Sequence, residues 1–359
     1  MTIGLPTIDV QFKKLAQTVI ARSSAQIAVL IVKDNTDATH AVKEYSSPLD
    51  IDAAKFTAAN VKYIKDVLAG GGSKVIVVPV ATASTAAVAD AVAAIGSRKF
   101  NWIGLAEGDA DEQNDLVTFA KLPASIKKGI KAVVYQAADP DSSRIVNFTN
   151  EDVTYAGGTT VTGEKYIARL LGVLTGLPLT QSSTYLELSE LVGVTEPADL
   201  DTAIGDGELV LFNDDGKIRI ARGVNSLVTL TPGVTDDFKK IVIVETMDLM
   251  KADIAASFKD SYLGKFKNKY DNQVLFISAV NAYFASLAAD SLLDDAFANK
   301  ADVNVAQQRA AWVQSGKAEA AGWDDQMVKN NAFGSSVFLG GNVKIPDAME
   351  DLSFEIYLQ

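Results

Sequence analysis

Hydrophobic positions along this chain keep two rhythms, and both ends keep the shorter one. Residues 5–12 place Ile8, Val10 and Phe12 on one face, and residues 352–358 do the same with Leu352, Phe354, Ile356 and Leu358. Alternation of period two predicts a half-buried strand at each end. Ends that pack against nothing are usually polar and frayed, so two strand-grade termini need partners. The partner is either the chain's own sheet or the sheet of another copy, and the pattern alone leaves both open.

Between the ends the pattern alternates strand and helix. Continuous apolar runs at 27–33 and 74–80 predict strands buried on both faces. A helix over 52–68 carries Phe56, Val61, Ile64, Val67 and Leu68 at helical spacing and stops at Gly70–Gly72. Further helices are predicted over 84–95 (capped by Ser84), 111–126 and 164–174, with strands at 102–105 and 132–135. Residues 208–212 and 217–221 read as a hairpin around Asn213-Asp214-Asp215-Gly216. The last third predicts a strand at 240–244 and helices over 247–263, 272–287 and 305–314. Strand material follows at 337–339 and 343–345. The fold class is therefore α/β, or mixed α+β: layered, multi-domain, with extended N- and C-terminal β-strand arms.

Length and composition narrow the function classes. At 359 residues, 48% hydrophobic and 22% charged, the chain has the composition of a soluble protein and room for two or three domains. It has no apolar run near the ~20 residues of a membrane helix and no basic-then-apolar leader, so no membrane partner or secretory signal is expected. Without cysteine there are no disulfides, thiolate nucleophiles or thiolate metal sites. A net charge of −12 argues against nucleic-acid binding and makes copies repel at long range. Charge is also uneven. Residues 1–33 carry Lys13, Lys14, Arg22 and Lys33 against Asp9. Residues 347–359 carry Asp347, Glu350, Asp351 and Glu355 with no base, which favours cross-pairing of unlike ends.

Candidate chemistry is sparse. Gly70-Gly71-Gly72-Ser73-Lys74 has a phosphate-loop composition in the wrong order, between a helix and a strand instead of the reverse. Asp109-Ala110-Asp111-Glu112 begins like a calcium loop, but Asn114 and Ala120 stand where glycine and glutamate are required, so a carboxylate-rich helix start explains it better. His40, the sole histidine, sits in a polar loop with no nucleophile-elbow sequence. Lys259, Lys265, Lys267 and Lys269 suit a helix C-terminus or an acidic partner. No catalytic residue, metal site or cofactor is expected.

Several blocks resemble the phage tail sheath family. They are Gly4-Leu5-Pro6-Thr7-Ile8, Ile145-Val146-Asn147-Phe148-Thr149, Ala221-Arg222-Gly223-Val224-Asn225-Ser226-Leu227 and Phe238-Lys239-Lys240-Ile241. Tyr270-Asp271-Asn272, Val337-Phe338-Leu339 and Asp347-Ala348-Met349-Glu350-Asp351-Leu352 complete the set. Their order resembles the short sheath proteins of Gram-positive phages, PBSX-like defective prophages and R-type bacteriocins. The resemblance implies a subunit that polymerises helically around a tail tube and contracts to drive the tube through a cell envelope. It implies residues 1–25 as an N-terminal arm, 26–80 as a small α/β domain and 81–240 as a middle domain. Residues 241–359 become the sheath domain with its arm from about 347. Ile8, Val10, Phe12, Leu352, Phe354, Ile356 and Leu358 would add strands to neighbouring copies, with Val337, Leu339, Val343 and Ile345 in the recipient sheet. Gly340-Gly341 and Pro346 read as hinge or strand-limiting positions. Implied partners are neighbouring sheath subunits, the tube protein, and baseplate and tail terminator proteins. The particle would assemble in the host cytoplasm and leave by lysis. The competing readings are a non-contractile virion structural protein and an α/β enzyme with an unrecognised site.

Overall fold

The computed structural model describes Ile20 and residues 26–358. Two units divide the described residues: a larger one of 26–252 with 345–358, and a smaller one of Ile20 with 253–344. The expected N-terminal strand, with Ile8, Val10 and Phe12, lies outside the described residues.

In the larger unit, Ala28–Val32 are fully buried, so both edges of their strand need hydrogen-bonded neighbours. That strand, β1 (Ile27–Lys33), lies between two others. The sheet also holds β2 (Lys43–Tyr45), β3 (Lys74–Val80), β4 (Trp102–Leu105), β5 (Lys131–Tyr135) and β6 (Ile145–Phe148). A separate three-stranded sheet of β7 (Asp152–Tyr155), β8 (Thr160–Thr162) and β9 (Leu191–Val194) follows, before β10 (Glu208–Leu209) returns to the first. The spatial order of the seven strands is β10-β6-β5-β4-β1-β3-β2, parallel except for β2 at one edge.

Helices cover both faces. On one, α1 (Ala58–Leu68) lies with a later helix at Ile167–Gly176, and Ile64, Val67, Leu170 and Leu171 pack with Leu30, Val75 and Val77. On the other, α2 (Ala87–Ile95) and α3 (Ala110–Lys121) pack Val88, Ala91 and Leu116 with Val29, Ile31, Ile76 and Val78. The helix expected over 111–126 is broken at Leu122, because Pro123 opens a new one, α4 (Pro123–Lys128). The Ile167–Gly176 helix is α5. Gly70 and Gly172 meet so closely that a Cβ on Gly172 would lie 2.4 Å from the Val67 carbonyl oxygen. The triglycine therefore serves α1–α5 packing as well as chain reversal. The expected hairpin forms, as β11 (Leu211–Asp214) and β12 (Lys217–Ile220), through a turn with positive φ at Asp215 and Gly216.

Two expectations need correction here. A domain boundary at 80/81 is overruled by the sheet, since β1 pairs with β3 on one side and with β4 on the other. The β-branched run Ile241-Val242-Ile243-Val244 is not a strand. It opens α7 (Ile241–Ser257), after the short helix α6 (Leu200–Gly205). Short apolar runs read alike in either conformation, and here tertiary contacts decide. The helix sends Glu245 and Asp248 from one face to Lys131 Nζ, at 2.9 and 3.0 Å, and Asp248 also pairs with Arg144. All four side chains are almost wholly buried, and Lys131 sits over the Trp102 ring at 5.2 Å.

The smaller unit is built around α8 (Tyr270–Ala289), which buries Phe276, Val280, Tyr283, Phe284 and Leu287. By length and composition α8 could cross a membrane, contrary to the absence of such a run expected from sequence. Its buried stripe is that of a core helix. Beside it stand β13 (Lys300–Val303), α9 (Val305–Gln314), α10 (Asp325–Asn330) and β14 (Leu339–Asn342), with β13 and β14 paired antiparallel. Strands were expected at 337–339 and 343–345 with the glycines between them. Instead Gly340 and Gly341 lie inside β14, while Lys344 N donates to the Asn299 side chain at 2.9 Å.

Replacing Asp248 by Asn should lower the stability of the larger unit by about 3 kcal/mol, since it leaves buried Arg144 without its carboxylate and Lys131 with Glu245 alone. Urea unfolding of the variant and the parent measures this.

Candidate interaction site at the root of the C-terminal arm

Four of the blocks singled out in the sequence converge in the larger unit. Asn225 N donates to the Lys239 carbonyl (2.8 Å) and its side-chain amide to that of Phe238 (2.7 Å), while Ile241 N donates to Gly223 O (3.1 Å). Ser226 N reaches the Ile145 carbonyl at 2.8 Å. The Arg-Gly-Val-Asn-Ser block thus pins the Phe238–Ile241 segment beside the start of β6, and Arg222 and Lys240 are held side by side.

The Asp-Ala-Met-Glu-Asp block docks onto that pair. Glu350 pairs with Lys240 and accepts from Thr184 Oγ1 (2.6 Å) and Ser182 Oγ (3.0 Å), and its side chain is only 4% exposed. Thr184 Oγ1 in turn accepts from Gly223 N at 2.8 Å. Asp347 lies 3.3 Å from Lys240, and Asp351 2.5 Å from Arg222. Burial alone would raise the Glu350 carboxyl, but the Lys240 ammonium and the two hydroxyls outweigh it and hold it below the ordinary carboxylate value.

Beyond this latch the chain forms no strand. Leu352, Phe354, Ile356 and Leu358 are exposed at 90, 76, 73 and 96%. Val337, Leu339, Val343 and Ile345 are half-buried, and of these only Leu339 belongs to a strand. The acidic end is not a free negative segment either. Three of its four acids already face Lys240 or Arg222 of the same chain. Sequence reasoning missed Ser182, Thr184, Arg222 and Lys240 as a socket. The spacing of three acids within five residues, opposite a Lys-Lys pair, was the available signal.

Elsewhere the polar groups are used internally. Strand order reverses between β1 and β4, the switch point at which open α/β sheets bind ligands. There Lys33 pairs with Glu112 (2.8 Å), and buried Asp34 accepts from Thr57 N and the Asn60 amide, both at 2.7 Å. A polar cleft of about 510 Å³ beyond β6 and β10 is lined by Asn147, Thr149, Asn150, Glu151, Glu196 and Glu208, with the Thr149 hydroxyl donating to Glu208. His40 lies elsewhere, its Nε2 3.3 Å from Asn35 Oδ1. Asp109 and Glu112 form a capping box on α3. Among the described residues no His/Cys/Asp/Glu cluster could hold a metal.

Known proteins give this architecture its context. Residues 81–226 match the phage tail sheath protein central domain, and residues 234–359 match the phage tail sheath C-terminal domain. The tail sheath protein of Clostridium phage phiCD119 is 34% identical over 363 residues, covering 99% of each chain. The sheath tail protein of Desulfitobacterium hafniense has the same fold at a TM-score of 0.68 and 15% identity, over 83% of this chain and 94% of that one. The anti-feeding prophage helical sheath in its contracted state aligns at a TM-score of 0.65 and 12% identity, over 99% of both. This chain belongs to the phage tail sheath family. It is a structural protein of the tail sheath kind.

Glu350→Gln should release residues 347–351 without unfolding the larger unit. Limited proteolysis would then cut near the arm root while the unfolding transition stays in place. Acid should do the same in the parent. A carboxyl held below its unfolded value stabilises the latch fully above the ordinary value of 4.5, and the contribution fades as pH falls through the lower folded value. Amide exchange of 345–352 followed from pH 7 downward measures this.

Proposed function

We propose that residues 352–358 of each subunit add a strand to the sheet of a neighbouring copy, that residues 5–12 do likewise, and that the resulting mesh keeps subunits linked while the sheath shortens. The observation that carries this reading is the exposed alternating stripe beginning directly after an anchored root. A strand with every second side chain apolar and no sheet of its own is suited to pairing with an exposed edge, where main-chain hydrogen bonds supply affinity and alternate side chains supply register. Each such contact is heterologous, and heterologous contacts that do not close into rings build helical filaments.

In this reading the sheath surrounds a tail tube, meets baseplate and terminator proteins at its ends, and drives the tube through a cell envelope. It is assembled in the host cytoplasm and released by lysis. The role is non-enzymatic, as the family identity implies. The expected domain roles, with a middle decorating region and a C-terminal sheath domain holding Val337, Leu339, Val343 and Ile345 as recipient, belong to the same proposal.

Deleting residues 352–359 while keeping Glu350, or separately deleting 1–15, should give a soluble folded subunit that forms no tubes in negative-stain micrographs. Normal tubes from both truncations would refute the arm reading.

A further inference from the structure

We infer that Lys131 and Glu245 condense into an isopeptide bond that braces β5 to α7, with Asp248 as the base. The inference stands apart from the arm reading and concerns the interior of the larger unit. The buried ion pair described above is the reactant state.

Lys131 opens β5 and pairs in the sheet with Trp102, over whose ring its ammonium sits at 5.2 Å. Its Nζ donates to Gly129 O at 3.1 Å and to Asp248 Oδ2 at 3.0 Å. Glu245 Oε1 stands 2.9 Å from the same nitrogen, yet that oxygen accepts no aligned hydrogen bond. Glu245 and Asp248 lie three residues apart on α7, so both carboxyls leave the helix on one face. An amine and a carboxyl group are thus held in contact, one fixed by a sheet and the other by a helix. Groups fixed in this way reach effective molarities of about 10⁵–10⁸ M when the approach is aligned.

The two carboxyls differ in their surroundings. Burial raises Glu245 despite the Lys131 charge, which favours its neutral, electrophilic form. Burial works on Asp248 too, but the charges of Lys131 and Arg144 outweigh it and keep a carboxylate there. Two carboxyls pushed apart by their environments divide the roles of acid and base. The side chains of Lys131, Glu245 and Asp248 are only 3, 10 and 9% exposed, so little water solvates the charges.

Transfer of one proton from Nζ to Glu245 turns the ion pair into an amine and a carboxylic acid. The Nζ lone pair then attacks Cδ of Glu245. Asp248 takes a second proton from the nitrogen and passes it to the hydroxyl, the C–O bond breaks, and water leaves. The third proton stays on the amide nitrogen. One ammonium and one carboxylate thereby become one amide and one water, with no oxidant or co-reactant. A cavity of about 320 Å³ lined by Glu245, Asp248 and Gly129 receives the water.

Mass spectrometry of the full-length chain tests this. The denatured chain should weigh one water less than its sequence. Trypsin should leave Lys131 uncut and release residues 129–144 joined to residues 241–251, with fragment ions placing the link on Glu245. Lys131→Arg keeps the positive charge without a primary amine and should give the full sequence mass. Asp248→Asn, followed by mass after cell-free synthesis, should link at least ~100-fold more slowly, the usual share of a positioned base. Circular dichroism checks that this variant is folded, and Asp248→Ser serves where it is not. A folded parent with its full sequence mass would overturn the bond. A link on Asp248, or a folded Asp248 variant linking as fast as the parent, would overturn the roles given to the two carboxyls.

Discussion

One buried carboxylate organises the end of this chain. Glu350 is accommodated because Lys240 supplies its counter-charge and two hydroxyls supply the remaining hydrogen bonds, the condition under which an ion pair can be taken out of water. In the proposed arm insertion the latch matters because the opposing terms are close to balanced. Burying four apolar side chains is worth about 6–12 kcal/mol. Ordering seven residues costs about 7–14 kcal/mol. A root fixed beforehand removes part of that cost and directs where the strand leaves the subunit.

Hydrogen-bond accounting then separates the two sides of the β13–β14 pair. Backbone groups at a sheet edge must be paired, covered or left to water. Asn281 and Asp302 cover one edge. The other carries two glycines, which weaken a strand that has nothing beside it. A subunit built this way has two unpartnered features, an exposed segment of strand-like alternation at its end and an open edge in its smaller unit. Under the proposed arm reading each completes the other in a neighbour.

How much of this was legible in the sequence depended on how local each signal is. β1, β3, β4, β5, the β11–β12 hairpin and α9 follow from runs and turns within a few residues. The alternation at 352–358 identified the exposed stripe, because period two is written in the side chains themselves. Longer-range features escaped. The β-branched run at 241–244 became helical because Glu245 and Asp248 find Lys131 and Arg144 across the fold. The boundary at 80/81 vanished because β1 pairs with β4. The socket at Glu350 needed residues from 182, 184, 222 and 240 brought together, and the spacing of the three acids signals a cluster of charge without naming its partners. Nothing local marks Asn281, since its partner is a main-chain group twenty residues away.

Seen as a load path, the latch joins the arm to the seven-stranded sheet of the larger unit. Tension on residues 352–358 passes through Glu350 to Lys240, which lies immediately before α7. It continues along the first two turns of that helix to Glu245 and Asp248, and from there into Lys131 of β5 and Arg144 just before β6. Two ionic clusters, joined by the first turns of α7, connect a pull at the chain end to the interior of a seven-stranded sheet. The short coupling means that a displaced neighbour would drag the whole larger unit as a rigid block instead of peeling its end loose.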